Sequence, residues 1–307
     1  MEKDQLNIDE TTLAVDLSEA TDAVKDGSFE HALSLLKIIL KDHPEHIDSL
    51  YMAAVSSRYL KQFDDSKNYI EQLLIIAPDM GRAYQELGHL SRDMGDEEKA
   101  VVHYRQACEL NPALIAGWNF LYQYFIKNNN KPAADHALEQ IKKLKSLPGV
   151  LLYIDQILNE GRLGMAEAKC RAFLKENPTH TYAMSLLSEI ANRMGYFDDA
   201  EFLLEKAVEF NPDDGDLRMK YASILRKKQK FSKTMEQVNI LCDKHPDNLT
   251  YQAQKASEIM QNGDHEKAIT LLDDILSKNP YNFSTFTSKG HAQKTLGRTD
   301  EAIKSYQ

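Results

Sequence analysis

Apolar side chains recur along this chain at the three- and four-residue spacing of an α-helix, and short polar turns interrupt them at regular intervals. Residues 81–112 show the pattern most clearly. Tyr84 and Leu87 mark the apolar face of a first segment, Gly95 marks a turn, and Tyr104 lies on the apolar face of a second segment. The spacing predicts two helices joined by a turn.

Prolines repeat with a period of 34 residues. Pro44, Pro78 and Pro112 are each 34 residues apart, and the same interval separates a later group, which is Pro178, Pro212, Pro246 and Pro280. The step from Pro112 to Pro178 is 66 residues, which equals one unit of 34 and one of 32. A period near 34 is typical of stacked helix–turn–helix repeats.

With the proline taken as position 32, nine units begin at residues 13, 47, 81, 115, 147, 181, 215, 249 and 283. Position 20 is then always small, as expected where two helix backbones cross closely. These residues are Ala32, Ser66, Ala100, Ala134, Ala166, Ala200, Thr234, Ala268 and Ala302. Position 24 is large and mostly apolar, from Leu36 in the first unit to Tyr306 in the last, which we expect to be a buried position.

Position 15 ends the first helix of each unit. Glycine there would supply the left-handed conformation that closes a helix, and Lys61, Asn129 and Gln229 replace it in three units. The glycines are Gly27, Gly95, Gly161, Gly195, Gly263 and Gly297. We expect helix A to cover about the first 14 positions of each unit and helix B about positions 17–30, because proline cannot continue a helix.

These coincident positions resemble those of the tetratricopeptide repeat family over residues 13–307. The resemblance implies an all-α fold, a right-handed α-solenoid of stacked helix–turn–helix units with about nine repeats. We divide the chain into a polar N-terminal tail at 1–12, repeats 1–4 at 13–146 and repeats 5–9 at 147–307. Repeat 4 is irregular, since Tyr122 replaces a small residue at position 8. It introduces either a kink or only a less regular stretch of a continuous superhelix.

The ninth unit stops at Gln307, in the middle of its second helix. We therefore expect a truncated piece of a longer protein, because a repeat array usually finishes with a polar capping helix. An uncapped end leaves end-to-end pairing of two copies open, and the sequence does not fix the oligomeric state.

Composition and charge predict a cytoplasmic protein. The net charge is −10, and this diffuse acidity argues against nucleic acid as a partner. Cys108, Cys170 and Cys242 are far apart and form no C-x-x-C pair, so we expect free thiols. No apolar stretch is long enough for a membrane span, and residues 1–12 lack the pattern of a signal peptide.

No motif for catalysis or for a cofactor is present. The sequence lacks a phosphate-binding loop, a dinucleotide-binding glycine pattern and a nucleophile elbow. His43 and His46 flank Pro44 without a matching set of ligands, so we predict no metal site, no cofactor and no enzymatic activity. The basic run at 226–230 is either a docking patch for an anionic partner or a solvated helix end.

The family resemblance also implies a binding surface. Family members line a concave wall mainly with helix A residues at positions 2, 5, 6, 9, 12 and 13, and they use it to bind a peptide or protein. The candidate residues here are Tyr51, Arg58, Tyr59, Arg82, Gln85, His89, Arg92, Asn119, Phe120, Gln123 and Lys127. The predicted function is a protein-interaction scaffold. The other interpretation is that these are ordinary exposed helix residues.

A narrower resemblance concerns the C-terminal half. The stretches 161–168, 177–180, 198–205 and 290–298 are similar to bacterial proteins in which a tetratricopeptide array precedes a sulfotransferase domain. This implies an alternative function, the substrate-recruiting region of a larger sulfotransferase. Its catalytic domain, which uses the sulfate donor PAPS, would then follow residue 307.

Overall fold

The computed structural model describes residues 15–307, so the expected tail at 1–12 lies outside the described residues. Every regular element in the described part is an α-helix. The helices are α1 (15–25), α2 (Phe29–Asp42), α3 (Ile47–Tyr59), α4 (Phe63–Ile76), α5 (Gly81–Asp93), α6 (Glu97–Leu110), α7 (Ile115–Lys127), α8 (Lys131–Lys145), α9 (Gly149–Asn159), α10 (Leu163–Glu176), α11 (Thr181–Arg193), α12 (Phe197–Phe210), α13 (Gly215–Lys227), α14 (Phe231–Lys244), α15 (Leu249–Gln261), α16 (His265–Lys278), α17 (Phe283–Thr295) and α18 (Thr299–Tyr306).

The helix boundaries confirm the predicted repeat. Helices α5 and α6 occupy the expected positions of helix A and helix B in the third unit, and Pro112 follows two residues after α6 ends. In units 2–4 and 6–9 the two helices pack as a hairpin, for example α5 on α6, and successive hairpins stack, for example α6 on α7. The fifth unit differs, because the first compact part of the chain ends at Arg162, between α9 and α10. The result is an all-α fold of stacked helix pairs, as the period predicts.

The small residues at position 20 lie at the helix crossings. All nine are buried, and none is more than 3% exposed. Ser66 shows why a short side chain suits this position, since its hydroxyl donates to the carbonyl of Ala54 at 2.9 Å. Ala200 packs in a cluster with Leu204, Leu217 and Tyr221. The predicted register is therefore confirmed by packing.

Position 24 is also buried, with two exceptions. Tyr104, Cys170 and Leu204 are buried there, whereas Leu138 is only half-buried. Tyr306 is 45% exposed, so the expectation that this position is buried is wrong for the ninth unit.

All three cysteines are free and buried. Burial raises the pKa of the Cys108 thiol to about 12 and that of Cys170 to about 11. No helix within residues 15–307 combines the length and the apolar composition that a bilayer crossing requires.

The chain divides into two compact units, one ending at Arg162 and the other spanning Leu163–Gln307. The division of the repeats at residue 146 stays a prediction, and the compact units divide later in the chain. Helix α9 lies in the first unit, where residues just before Arg162 bond to the turn between α6 and α7.

Candidate functional site

The last turns of α3 and α5 line a cleft of about 540 Å³ in the first compact unit, which ends at Arg162. Each helix contributes residues from its C-terminal end, because neighbouring A helices pack side by side in this stack. The lining residues are Arg58, Tyr59, Lys61, Phe63, His89, Arg92 and Asp93. Four of them, Arg58, Tyr59, His89 and Arg92, belong to the set predicted from the sequence.

Arg58 forms the buried wall of this cleft. Its side chain is 7% exposed, its Nε donates to Glu86 Oε1 at 2.5 Å, and its Nη1 donates to Asp93 Oδ2 at 2.8 Å. Burial opposes its charge, but the Glu86 carboxylate raises the pKa of Arg58 above its ordinary value. The strongest contacts of this guanidinium are therefore internal, and it fixes α3 against α5.

Tyr59 supplies an exposed aromatic surface. Its side chain is 55% exposed, and its ring stacks on Phe29 with centroids 4.2 Å apart and planes within 4°. The Arg58 guanidinium lies 4.5 Å from the centroid of the Tyr59 ring. These contacts hold the ring rigidly, which lowers the entropy lost when a ligand packs against it.

His89 and Arg92 lie on the α5 side of the cleft. His89 Nδ1 and the Tyr104 hydroxyl form a hydrogen bond of 2.6 Å. Burial, with help from Arg58 and Arg92, lowers the pKa of His89 to about 4, so its imidazole is neutral at pH 7. Arg92 is about half exposed and donates from Nη2 to Asp93 Oδ1 at 2.9 Å.

The cleft carries a small excess of positive charge. Arg58, Lys61 and Arg92 are cationic, and the carboxylates of Glu86 and Asp93 oppose them. Three cations against two carboxylates leave one positive charge, although the whole chain is strongly acidic. Such a site can attract an anionic group at short range, within the screening length of salt.

The sequence did not predict four residues of this arrangement, which are Lys61, Phe63, Glu86 and Asp93. Phe63 begins α4 at position 17, which the family positions do not include. Glu86 and Asp93 occupy positions 6 and 13 of the third unit, so the family positions could have identified them. Lys61 occupies the turn at position 15, which the family positions do not include. Only the packing of α3 beside α5 brings its side chain into the cleft.

Tyr51 and Arg82 lie elsewhere in the first compact unit, beside the segment that follows α9. The Arg82 guanidinium lies 4.6 Å from the centroid of the Tyr51 ring, and its Nη2 donates to Glu160 Oε2 at 2.7 Å. Arg162 forms an ion pair with Asp48 at the start of α3. These contacts cover the side of the predicted surface that positions 2 and 5 provide.

Amide groups add to this contact. Asn111 Nδ2 donates to the Gln156 carbonyl and Gln156 Nε2 donates to the Ala113 carbonyl, both at 3.3 Å. Residues 156–162 therefore lie against the N-terminal ends of α3 and α5 and the turn before α7. The chain itself covers this part of the predicted surface, and the cleft at the other ends of α3 and α5 stays open.

The remaining predicted residues do not line the cleft. Gln85 Oε1 accepts from the Gly117 amide at 3.3 Å, and Phe120 packs on Tyr104 with ring centroids 4.4 Å apart. The α7 residues Asn119, Gln123 and Lys127 are exposed, and Lys127 pairs with Glu97.

Three of the four cations in the basic run at 226–230 pair with neighbouring carboxylates, and Lys227 Nζ donates to Asn192 Oδ1 at 2.8 Å. Lys228 pairs with Asp198 and Glu201, Lys230 pairs with Glu201, and Arg226 pairs with Glu258. These partners favour the interpretation of a structural turn over that of a docking patch.

A family model described as tetratricopeptide repeat matches residues 81–114, 182–214 and 283–307. Among solved structures, the chain is similar to MamA at 19% identity and a TM-score of 0.45, over 50% of this chain and 90% of that one. It is similar to "Naa15/Naa10 bound to HypK-THB" at 18% identity and a TM-score of 0.39, over 92% of this chain and 44% of that one. It is also similar to the "APC/C hetero-tetramer Cut9-Hcn1" at 13% identity and a TM-score of 0.41, over 86% of this chain and 52% of that one.

The structural likenesses are too distant to carry a functional argument, and they do not show the sulfotransferase resemblance. The family-model matches are more specific, since each begins within one residue of a unit start inferred from the prolines. These three segments are similar to tetratricopeptide repeats, and the recurring helix pairs agree with that similarity.

Proposed function

We propose that this chain is a protein-interaction scaffold that binds a segment of a partner protein in the cleft between the ends of α3 and α5. The repeat fold is typical of proteins that act by binding other proteins. The convergence of Tyr59, His89 and Arg92 on one open cleft is the observation that carries the proposal. The chain acts in this proposal by binding and has no catalytic role of its own.

The chemistry of the cleft suits a short protein segment. Tyrosine and arginine are the side chains that most often dominate binding energy at protein interfaces. Tyr59 offers a fixed ring for an apolar side chain, and Arg92 offers guanidinium donors for backbone carbonyls or carboxylates. A cytoplasmic location belongs to the same proposal, and the three free thiols support it.

Affinity capture with the full chain tests this function. The wild-type chain is compared with the double variant Tyr59→Ala plus Arg92→Ala, and captured proteins are identified by mass spectrometry. The affinity of each purified partner is then measured by calorimetry. We expect the double variant to bind the partner at least about tenfold more weakly.

The matched control is Tyr281→Ala plus Arg171→Ala, which removes one exposed tyrosine and one exposed arginine far from the cleft in sequence. The control should bind like the wild type. Equal affinity of wild-type and cleft variants for every captured partner would show that the cleft is not the binding site.

The alternative function, the substrate-recruiting region of a larger bacterial sulfotransferase, rests only on the stretches 161–168, 177–180, 198–205 and 290–298. It is decided by reading the coding sequence beyond the codon for Gln307. A downstream domain without the phosphate-binding motifs of a sulfotransferase would eliminate it.

A further inference from the structure

Position 15 has a left-handed backbone in every unit. The six glycines have φ between +75° and +88°, and Lys61, Asn129 and Gln229 have φ of 59°, 55° and 57°. A Cβ added to any of the six glycines would meet no atom within 4 Å, so space does not select the residue here. The backbone does, because residues other than glycine are disfavoured at positive φ.

Lys61 therefore occupies a position that glycine would fill more favourably. Asparagine tolerates this conformation better than other side chains, which accounts for Asn129. Lysine has no such advantage, so the backbone gives no reason for Lys61. Its side chain instead faces the cleft, together with Tyr59, Phe63 and Arg92.

Lys61 also differs from the other cations of the cleft. Arg58 is held by Glu86 and Asp93, and Arg92 is held by Asp93. Lys61 is exposed and forms no ion pair with any residue in the range 15–307. Its ammonium is therefore the cleft cation that remains available to an incoming anion.

The corresponding turn of the seventh unit gives a contrast. Gln229 stands at position 15 there, and the adjacent Lys228 and Lys230 are paired with Asp198 and Glu201. Both lysines that flank Gln229 therefore have carboxylate partners within the chain. Lys61 has none among the described residues, although the chain has an excess of acidic residues.

We propose that Lys61 binds a carboxylate of the partner segment, and that this segment carries an aspartate or glutamate beside an apolar side chain. The apolar side chain packs on Tyr59 and Phe63 while the carboxylate reaches the Lys61 ammonium. A charge-assisted hydrogen bond of this kind is stronger than one between neutral groups. This inference rests on the proposed function, because it names the partner chemistry of the same cleft.

The test uses the full chain and an immobilised array of 12-residue peptides of varied sequence. Each peptide that contains aspartate or glutamate is printed beside a counterpart with asparagine or glutamine. We expect the wild type to prefer the acidic members, and Lys61→Gln to lose about three- to tenfold in affinity for them. Gln229 already shows that glutamine adopts the required backbone, so this variant removes the charge without changing the conformation.

Two glycine variants separate binding from stability. Lys61→Gly and Gln229→Gly should both raise the urea midpoint, because glycine adopts the left-handed backbone at position 15 without the steric cost of a side chain. Only Lys61→Gly should lose the preference for acidic peptides, and Gln229→Gly should keep it. This combination of a more stable fold and weaker binding is the result that a purely structural lysine would not give.

Two results would overturn the inference in different ways. If Tyr59→Ala abolishes peptide binding and Lys61→Gln leaves the acidic preference intact, the proposed function stands and the role of Lys61 is wrong. If Tyr59→Ala plus Arg92→Ala binds every peptide like the wild type, the cleft is not the site and both proposals fail.

Discussion

A tyrosine at position 24 and a glycine at position 8 depend on each other in two units. A Cβ on Gly88 would lie 2.8 Å from the Tyr104 ring, and one on Gly290 would lie 2.5 Å from the Tyr306 ring. In both units the tyrosine hydroxyl bonds to the histidine that follows the glycine, at 2.6 Å for His89 and 3.1 Å for His291. The ring fills the space that the missing side chain leaves, so the two positions must change together.

His89 should make the fold sensitive to acid. Burial lowers the pKa of His89 from 6.5 to about 4. Between these pH values the unfolded chain holds a proton that the folded chain does not, so stability falls as the pH falls through this window. We expect the free energy of unfolding of the wild type to fall by about 2 kcal/mol more than that of His89→Gln between pH 7 and pH 5. Urea unfolding at each pH measures this difference.

The exposed His31 provides the control, since its ring is in contact with solvent and one carboxylate, Glu19. His31→Gln should keep the acid sensitivity of the wild type. Parallel stability curves for the wild type and His89→Gln would show that His89 is not held neutral by the fold.

At the scale of the helix, the crossing at position 20 limits the size of the side chain. The sequence predicts this from the recurrence of small residues, and the structure gives the reason, which is full burial between two backbones. Ser66 adds a hydrogen bond to Ala54 across this contact. Thr234 is also fully buried, so a hydroxyl is tolerated there when it has a partner, and Thr234 donates to Lys230.

Ala200→Arg tests the helix crossing. The substitution overfills a fully buried position and buries a charge, so we expect a loss of roughly 2–5 kcal/mol in the free energy of unfolding. Ala172→Arg is the control, because Ala172 is exposed on α10 and should change stability by less than about 0.5 kcal/mol. An unchanged urea midpoint for Ala200→Arg would refute the assigned register.

At the scale of the whole molecule, each compact unit has its own apolar clusters. Tyr104, Leu121 and Phe125 belong to a cluster of the first unit, and Leu204 and Tyr221 belong to one of the second. In a repeat protein stability is a sum over units and their neighbours, so damage should spread mainly to adjacent repeats. The reactivity of the three buried thiols measures how far such damage spreads, since Cys108 is in the first compact unit and Cys170 and Cys242 are in the second.

We expect Ala200→Arg to accelerate alkylation of Cys170 and Cys242 by at least about tenfold, because local opening exposes the thiols of nearby repeats. Cys108 should change much less. Peptide mass spectrometry after a timed iodoacetamide pulse measures all three rates in one sample. Equal acceleration at Cys108 would indicate that the two units open together.

The candidate site was only partly predictable from the sequence. Tyr59, His89 and Arg92 were found because family positions on helix A follow directly from the repeat register. Tyr51 and Arg82 were found by the same rule, but a segment just before the unit boundary covers them. The contact between Arg162 and Asp48 joins residues 114 positions apart, and no local sequence pattern predicts it.

The sequence by itself determined the repeat, because helix geometry converts a 34-residue recurrence of proline, glycine, small and apolar residues into a recurring helix pair. It also determined the helix ends and the buried crossings, which depend on residues close together in the chain. Only the tertiary structure decided which surface is open, since that depends on ion pairs such as Arg58 with Glu86 and Arg82 with Glu160. Such contacts arise when stacked repeats bring distant side chains together, and so the free ammonium of Lys61 becomes visible only in the folded chain.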